Sequence, residues 1–309
     1  MSVIQTIASE RRFSGAPIDR LSGARLAFRT NERAGERRID AGKQFSAHYL
    51  RRLAAVLTLE EITAILTAEQ YREQGLALSR GGDNQAAGAL LAQAAMTCEE
   101  ARLSRHASVA ALSFQLAAEA YIKHRLGDHA GAIRDLENAI TAAAELEAVF
   151  GHHMEFRRVH LARNILRVRA SEPLGRNIVA DHIGLLRYIG GDVARWPIAT
   201  GRGVGNPTAM TADQIAWVID ELLVNLALPT LDLGANLAVL PKPEDCGDAD
   251  SDLHAAALWC HAVAHLAHER QQGFLDHATS FFEAGSGCLI NAGRHLENLL
   301  DDLGLVLDR

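Results

Sequence analysis

The sequence predicts an all-α protein, a superhelix of helical hairpins followed by a C-terminal helical bundle. Three observations carry this. Of 309 residues, 48% are hydrophobic but only 5% aromatic, so much of the apolar content is Ala and Leu. Both are strong helix formers that lose little side-chain freedom in a helix. Seven prolines leave long stretches uninterrupted. Between Phe45 and Leu303, apolar residues recur at helical spacing between Gly-, Asp- and Pro-rich breaks.

Residues 1–44 are polar, with Arg11, Arg12, Arg20, Arg25, Arg29, Arg33, Arg37 and Arg38 among Ser, Gly and acids. Apolar periodicity is weak there. The expectation is an extended or poorly ordered arm, with docking on a partner as the functional alternative. Helical pattern begins near Phe45. Thr58 and Glu61 make a capping-box signature before Ile62, Ile65 and Leu66, and Thr67 with Gln70 makes another. Two short helices meeting there are expected.

From Ala68 the text repeats. Gly82-Asp83 is followed by Ala87, Leu91 and Ala94; Gly127-Asp128 is followed by Ala132, Leu136 and Ala139. The alanines stand 5 and 12 residues after each glycine, and the leucine 9. Gly and Asp turn the chain between antiparallel helices. Small alanines let the two helices approach closely, and the leucine fills the gap between hairpins.

This pattern resembles the tetratricopeptide repeat family. Tyr71, Gly75 and Leu78 stand in the family's tryptophan, glycine and tyrosine slots of the first unit. Leu116, Ala120 and Lys123 stand there in the second, and Glu99 and Ala144 replace the closing proline. The loop glycines are 45 residues apart (127 − 82), against about 34 in the family, so longer helices are expected. A third, degraded unit would turn at Leu174-Gly175, with Ala180 five residues on. The likeness covers roughly residues 68–190. It implies an extended surface that binds a partner protein or peptide.

The resulting division is an arm at 1–44, repeats at 45–190, a Gly/Pro linker at 191–210 and a helical bundle at 211–309. In the bundle, one helix should run from Thr211 to Pro229, a long one from Ser251 to about Glu283, and a last one from about Leu289 to Leu303.

Net charge is −7. A global basic balance of the kind that grips nucleic acid is missing, so nucleic-acid binding is not expected. Cys98, Cys246, Cys260 and Cys288 are widely spaced and form no C-x-x-C pair. They read as reduced thiols, consistent with a cytoplasmic protein. No apolar run approaches a membrane span or signal peptide.

Two clusters stand out as candidate sites. Arg157, His160, Arg163 and Arg167 recur on one helical face. As a basic groove wall they would bind an acidic peptide or a C-terminal carboxylate; the plainer reading is a solvated charged face. His254, His261, His265 and His268 follow at spacings of 7, 4 and 3, within roughly 60° of one another on one helix. His261 and His265 have the i, i+4 spacing that lets two imidazoles meet one divalent transition-metal ion. Glu269, His277 and His295 are further candidate ligands. The plainer reading is a polar stripe. Gly201-Arg202-Gly203-Val204-Gly205 lacks the Lys-Ser/Thr pair and strand context of a phosphate cradle and reads as a connector.

The leading expectation is therefore an interaction or adaptor module and not an enzyme, with no catalytic residue assigned. The alternative is a metal-binding helical protein, with metal-dependent chemistry on the 254–268 helix.

Overall fold

A computed structural model describes residues 16–35, 41–171, 177–201, 205–233, 237–246, 248, 251–284 and 289–303. The all-α expectation holds: the described residues form helices and connecting turns, with no strand among them. The chain divides into two compact units.

One unit comprises residues 42–173 and 196–210. It holds α2 (Ala41–Ala54), α3 (Leu59–Arg80), α4 (Asn84–Glu100), α5 (Arg105–Arg125), α6 (His129–Phe150) and α7 (Glu155–Ala170). The Thr58–Glu61 capping box is present at the start of α3. Glu61 also accepts the Ser104 amide at 2.9 Å, tying α5's entry to α3's. Hydrogen bonds from Ser104 and Thr58 hold this carboxyl down at about 2. Thr67, by contrast, lies inside one continuous helix, where its hydroxyl donates to the Thr63 carbonyl. The expected break there does not exist. Threonine satisfies its hydroxyl on the preceding turn as readily as at a cap.

The two Gly-Asp loops are built alike. Gly82 and Gly127 adopt φ of +97° and +83°, which only glycine does without strain. The amides of Asp83 and Asp128 close back onto the carbonyls of Leu78 and Lys123, the six-to-one bond of a Schellman end. Each Asp carboxylate then caps the next helix, on Ala86 and Gly131. The hairpins α3/α4 and α5/α6 follow. Ala87, Ala94, Ala132 and Ala139 have no exposed surface, and Gly75 brings α3 within 3.1 Å of the Ala87 carbonyl, measured from where a Cβ would stand. Ala132→Leu is expected to overpack its crossing and cost about 1–3 kcal/mol. A thermal melt that does not fall would contradict the close approach.

Residues 196–201 and 205–210 of the Gly/Pro-rich segment belong to this unit. Trp196 and Ile198 are buried, the Trp196 indole donates to the Thr200 carbonyl at 2.8 Å, and Gly201 takes φ +79° against Ile140. Arg202, Gly203 and Val204 lie outside the described residues, as do Leu174 and Gly175 of the expected third turn.

The other unit comprises residues 1–41, 174–195 and 211–309. It holds α1 (Ala16–Gly35), α8 (Ile178–Ile189), α9 (Ala212–Leu233), α10 (Asp252–Ala267), α11 (Gln271–Glu283) and α12 (Ile290–Asp302). So α8 belongs with the C-terminal helices and not with α3–α7. The arm expectation also fails over 16–35. These residues form a helix whose Leu21, Ala24 and Phe28 are buried, with Phe28 packed edge-on against Phe282 and against Gly293. Its arginines find acids far along the chain: Arg20 bonds Glu283, and Arg25 and Arg29 meet Glu297.

The long helix expected from Ser251 to Glu283 is two helices. Ser251 caps α10 as predicted, but the chain turns at His268–Arg270, where Glu269 takes φ +56°. The left-handed region is reached here without Gly or Asn, so the sequence carried no ordinary stop signal. The turn folds α11 back onto α10. No helix among the described residues is long and apolar enough to cross a membrane.

Candidate functional sites

The turn at 268–270 reorganises the histidine stripe. His261 and His265 remain one turn apart on α10, and the reversal brings His277 of α11 against them. One nitrogen from each of the three lies within 4.8 Å of the others, and all three are half-buried. The His277 ring stacks on His265 with centroids 4.9 Å apart and on His261 at 5.3 Å. His254 and His268 are not in this group. His254, two turns before His261, bonds the Pro243 carbonyl at 2.9 Å; His268 is exposed at the end of α10. Glu269 is exposed in the turn. His295 packs beside Trp259 on α12.

Ring orientation within the cluster is fixed from outside it. The His261 Nε2 bonds the Pro241 carbonyl at 3.1 Å, and the His277 Nδ1 bonds the Gly273 carbonyl at 2.8 Å. A carbonyl only accepts, so these nitrogens carry the protons. The Nδ1 of His261 and the Nε2 of His277 are left with lone pairs. The His265 Nδ1 is buried with no hydrogen-bond partner among the described residues. Burial first, and the neighbouring His277 second, push the imidazoles of His261 and His265 below their usual range.

In the unit of residues 42–173 and 196–210, the four basic residues of α7 part company. Arg167 is exposed. Arg163 is buried and donates to the Asn164 side chain at 2.6 Å. His160 is half-buried beside Phe156, and burial pushes its imidazole well below the usual range. Arg157 lies over the Phe114 ring, 4.4 Å from its centroid, and donates to the Ser113 carbonyl at 2.9 Å. A solvated face is therefore correct for Arg167 only.

Nothing in the sequence pattern announces the polar interior around Arg157. Arg72 of α3 is buried and paired with Glu69 at 2.6 Å. Tyr49 of α2 is buried against Phe45 and Phe114, and burial raises its phenol to well above the usual range. Glu69, Arg72 and Tyr49 all act electrostatically on Arg157, whose guanidinium burial lowers to about 10. Among the described residues, Tyr49 Oη, Arg72 Nη1, Ser113 Oγ, Gln115 Oε1 and Arg157 Nε are buried without a hydrogen-bond partner. Arginines and a glutamine on helices whose other faces are solvated look like surface residues, which hid this group in the sequence.

Comparison with family models, with curated proteins and with solved structures finds no match to this chain.

Proposed function

We propose that the chain is a tetratricopeptide-like binding module of the cytoplasm that takes an acidic segment of a partner protein at Arg157. The observation that carries this reading is the guanidinium itself. It is drawn largely out of water, and no carboxylate stands within ion-pair distance of it among the described residues; it touches only a carbonyl and an aromatic face. A half-buried cation that feels its nearest acid, Glu69, only from beyond ion-pair distance is incompletely compensated. The nearby orphaned donors of Arg72 and Tyr49 have the same polarity of need. A carboxylate from a partner answers all of them through charge-assisted hydrogen bonds. Free thiols at Cys98, Cys246 and Cys260 suit a reducing compartment.

The test pairs two measurements on Arg157→Met. Peptides carrying acidic residues or a free C-terminal carboxylate are titrated against amidated, neutral counterparts. The parent should prefer the acids, more strongly at low salt, and the variant should lose the preference. Without peptide, the variant should melt within about 1 kcal/mol of the parent or above it, because a half-buried charge with no direct ion pair has been replaced by an apolar chain. A large fall in stability, or peptide binding indifferent to charge, would make Arg157 a structural residue instead.

A further inference from the structure

We propose that His261, His265 and His277 form a site for one divalent transition-metal ion, zinc before others, with a fourth coordination position left open. The site lies in the unit that does not contain Arg157, and it does not depend on peptide binding there.

Four features agree on this assignment. The first is convergence. Two helices, reversed at a turn that sequence pattern did not announce, bring three imidazoles together. In a tetrahedral site, bonds of ~2.05 Å place ligand nitrogens about 3.3 Å apart. From the present 4.8 Å limit, closure takes at most about 1.5 Å of relative ring movement (4.8 − 3.3).

The second is tautomer control. Metal-bound histidines donate their other nitrogen to a backbone carbonyl or carboxylate, which aims the lone pair inward. His261 and His277 are held in this way by carbonyls from two separate segments, at Pro241 and Gly273. The nitrogens bonded are different ones, Nε2 in the first ring and Nδ1 in the second. Each leaves its remaining nitrogen as an acceptor that takes a metal without any proton shift.

The third is the His265 ring, whose buried Nδ1 has no partner among the described residues. A stack of neutral imidazoles, the plain structural alternative, leaves this polar atom unsatisfied.

The fourth is Gly273. A Cβ at that position would stand 2.4 Å from the His265 Nδ1 and 2.7 Å from two of its ring carbons. Glycine is unfavourable inside a helix. Here its missing side chain makes the seat for the ring, and its carbonyl orients His277. One residue thus serves two of the three imidazoles.

The donor set selects the ion. Three neutral nitrogens with no carboxylate or thiolate in the group suit Zn²⁺, Cu²⁺, Ni²⁺ or Fe²⁺ and not Mg²⁺ or Ca²⁺. Three protein ligands on partly exposed rings leave room for water or a donor atom of a bound molecule, unlike the closed four-ligand sites of structural zinc. The ligand set is also distinct from the single-helix stripe: His254 and His268 lie outside it.

The experiment uses the full chain prepared without a histidine tag and stripped with chelator. Zn²⁺, Co²⁺ and Mg²⁺ are titrated by calorimetry, and Co²⁺ also by its visible ligand-field bands. One equivalent of Zn²⁺ and of Co²⁺ should bind, with no response to Mg²⁺. His277→Ala should weaken binding by more than the ~10–100-fold that loss of an outer partner costs. His254→Ala and His268→Ala should leave affinity within about threefold, since neither touches the site. Far-UV circular dichroism in chelator establishes that each variant is folded, and His261→Gln repeats the test should His277→Ala fail to fold. Absence of the Co²⁺ bands in the parent, or binding that survives loss of His277 or depends on His254 or His268, would overturn the assignment.

Discussion

Arg158→Leu is expected to lower the stability of its unit by about 3–5 kcal/mol, the loss typical of breaking a buried ion pair from one side. Arg158 of α7 has no exposed surface. Its guanidinium bonds Glu155, one turn back on the same helix, and meets Glu147 of α6 at 3.0 Å. Glu155 is itself buried and also accepts the Asn206 amide at 3.0 Å. The arginine therefore joins α6, α7 and the 206 segment through two acids. Leucine replaces its volume but removes the Arg158 guanidinium from beside the buried Glu155 carboxylate. Glu147 already feels the problem: burial raises its carboxyl above the usual range, and Arg158 opposes that rise. The mechanism is testable by a second substitution. Arg158→Leu/Glu155→Leu removes the orphaned charge and should recover part of the loss, so the two changes are not additive. Denaturant melts of parent, single and double variants give the answer. A double variant less stable than Arg158→Leu would mean that the packing, and not the stranded carboxylate, sets the cost.

Local chemistry was legible in the sequence, and long-range pairing was not. Gly82-Asp83 and Gly127-Asp128 announced turns because a left-handed glycine and a capping carboxylate act over four residues. The alanine offsets announced helix crossings because closeness demands a small side chain whatever the partner is. Thr58 and Glu61 did form a box. The helix at 16–35 was missed for the opposite reason. Leu21, Ala24 and Phe28 were in the sequence at helical spacing, but Arg20, Arg25 and Arg29 made the segment look solvated. Their acids, Glu283 and Glu297, stand more than 260 residues away.

The candidate sites follow the same division. The i, i+4 pair His261 and His265 was visible, because helix geometry alone puts both on one face. Which further histidine joins them depended on a reversal at Glu269, a residue with no special turn chemistry. Extending α10 through that point put His268 on the stripe; the turn discards it and delivers His277. Arg157 was legible as basic and not as half-buried among polar groups. Its surroundings come from Tyr49, Arg72 and Ser113 on three other helices, and residue type gave no sign of their burial.

Asp220→Ala should cost about 3 kcal/mol, and the cost should grow as the pH falls. Asp220 is buried on α9. One carboxylate oxygen accepts the Ala292 amide at 2.8 Å, and the other accepts the Asn291 amide at 3.1 Å and its side chain at 2.8 Å. The first turn of α12 has no side-chain cap of its own, so Asp220 supplies one from a neighbouring helix. Alanine strands the buried Ala292 amide, worth about 1–3 kcal/mol of desolvation when unmet, and removes the acceptor of the two Asn291 donors, which water replaces in part. The pH dependence separates this from simple loss of a charge–dipole attraction. Burial raises the Asp220 carboxyl to about 6, although the amides of Ala292 and Asn291 pull it down. The folded protein therefore binds a proton at a pH where the unfolded chain, near the ordinary carboxylate range, does not. Between about pH 7 and pH 5, the parent gains about 1 kcal/mol from this group relative to a variant that lacks it. Urea melts of both proteins at the two pH values should show the gap between them widening on acidification. A gap that narrows would mean that the ionised carboxylate at the helix end, and not its burial, dominates the energetics of this cap.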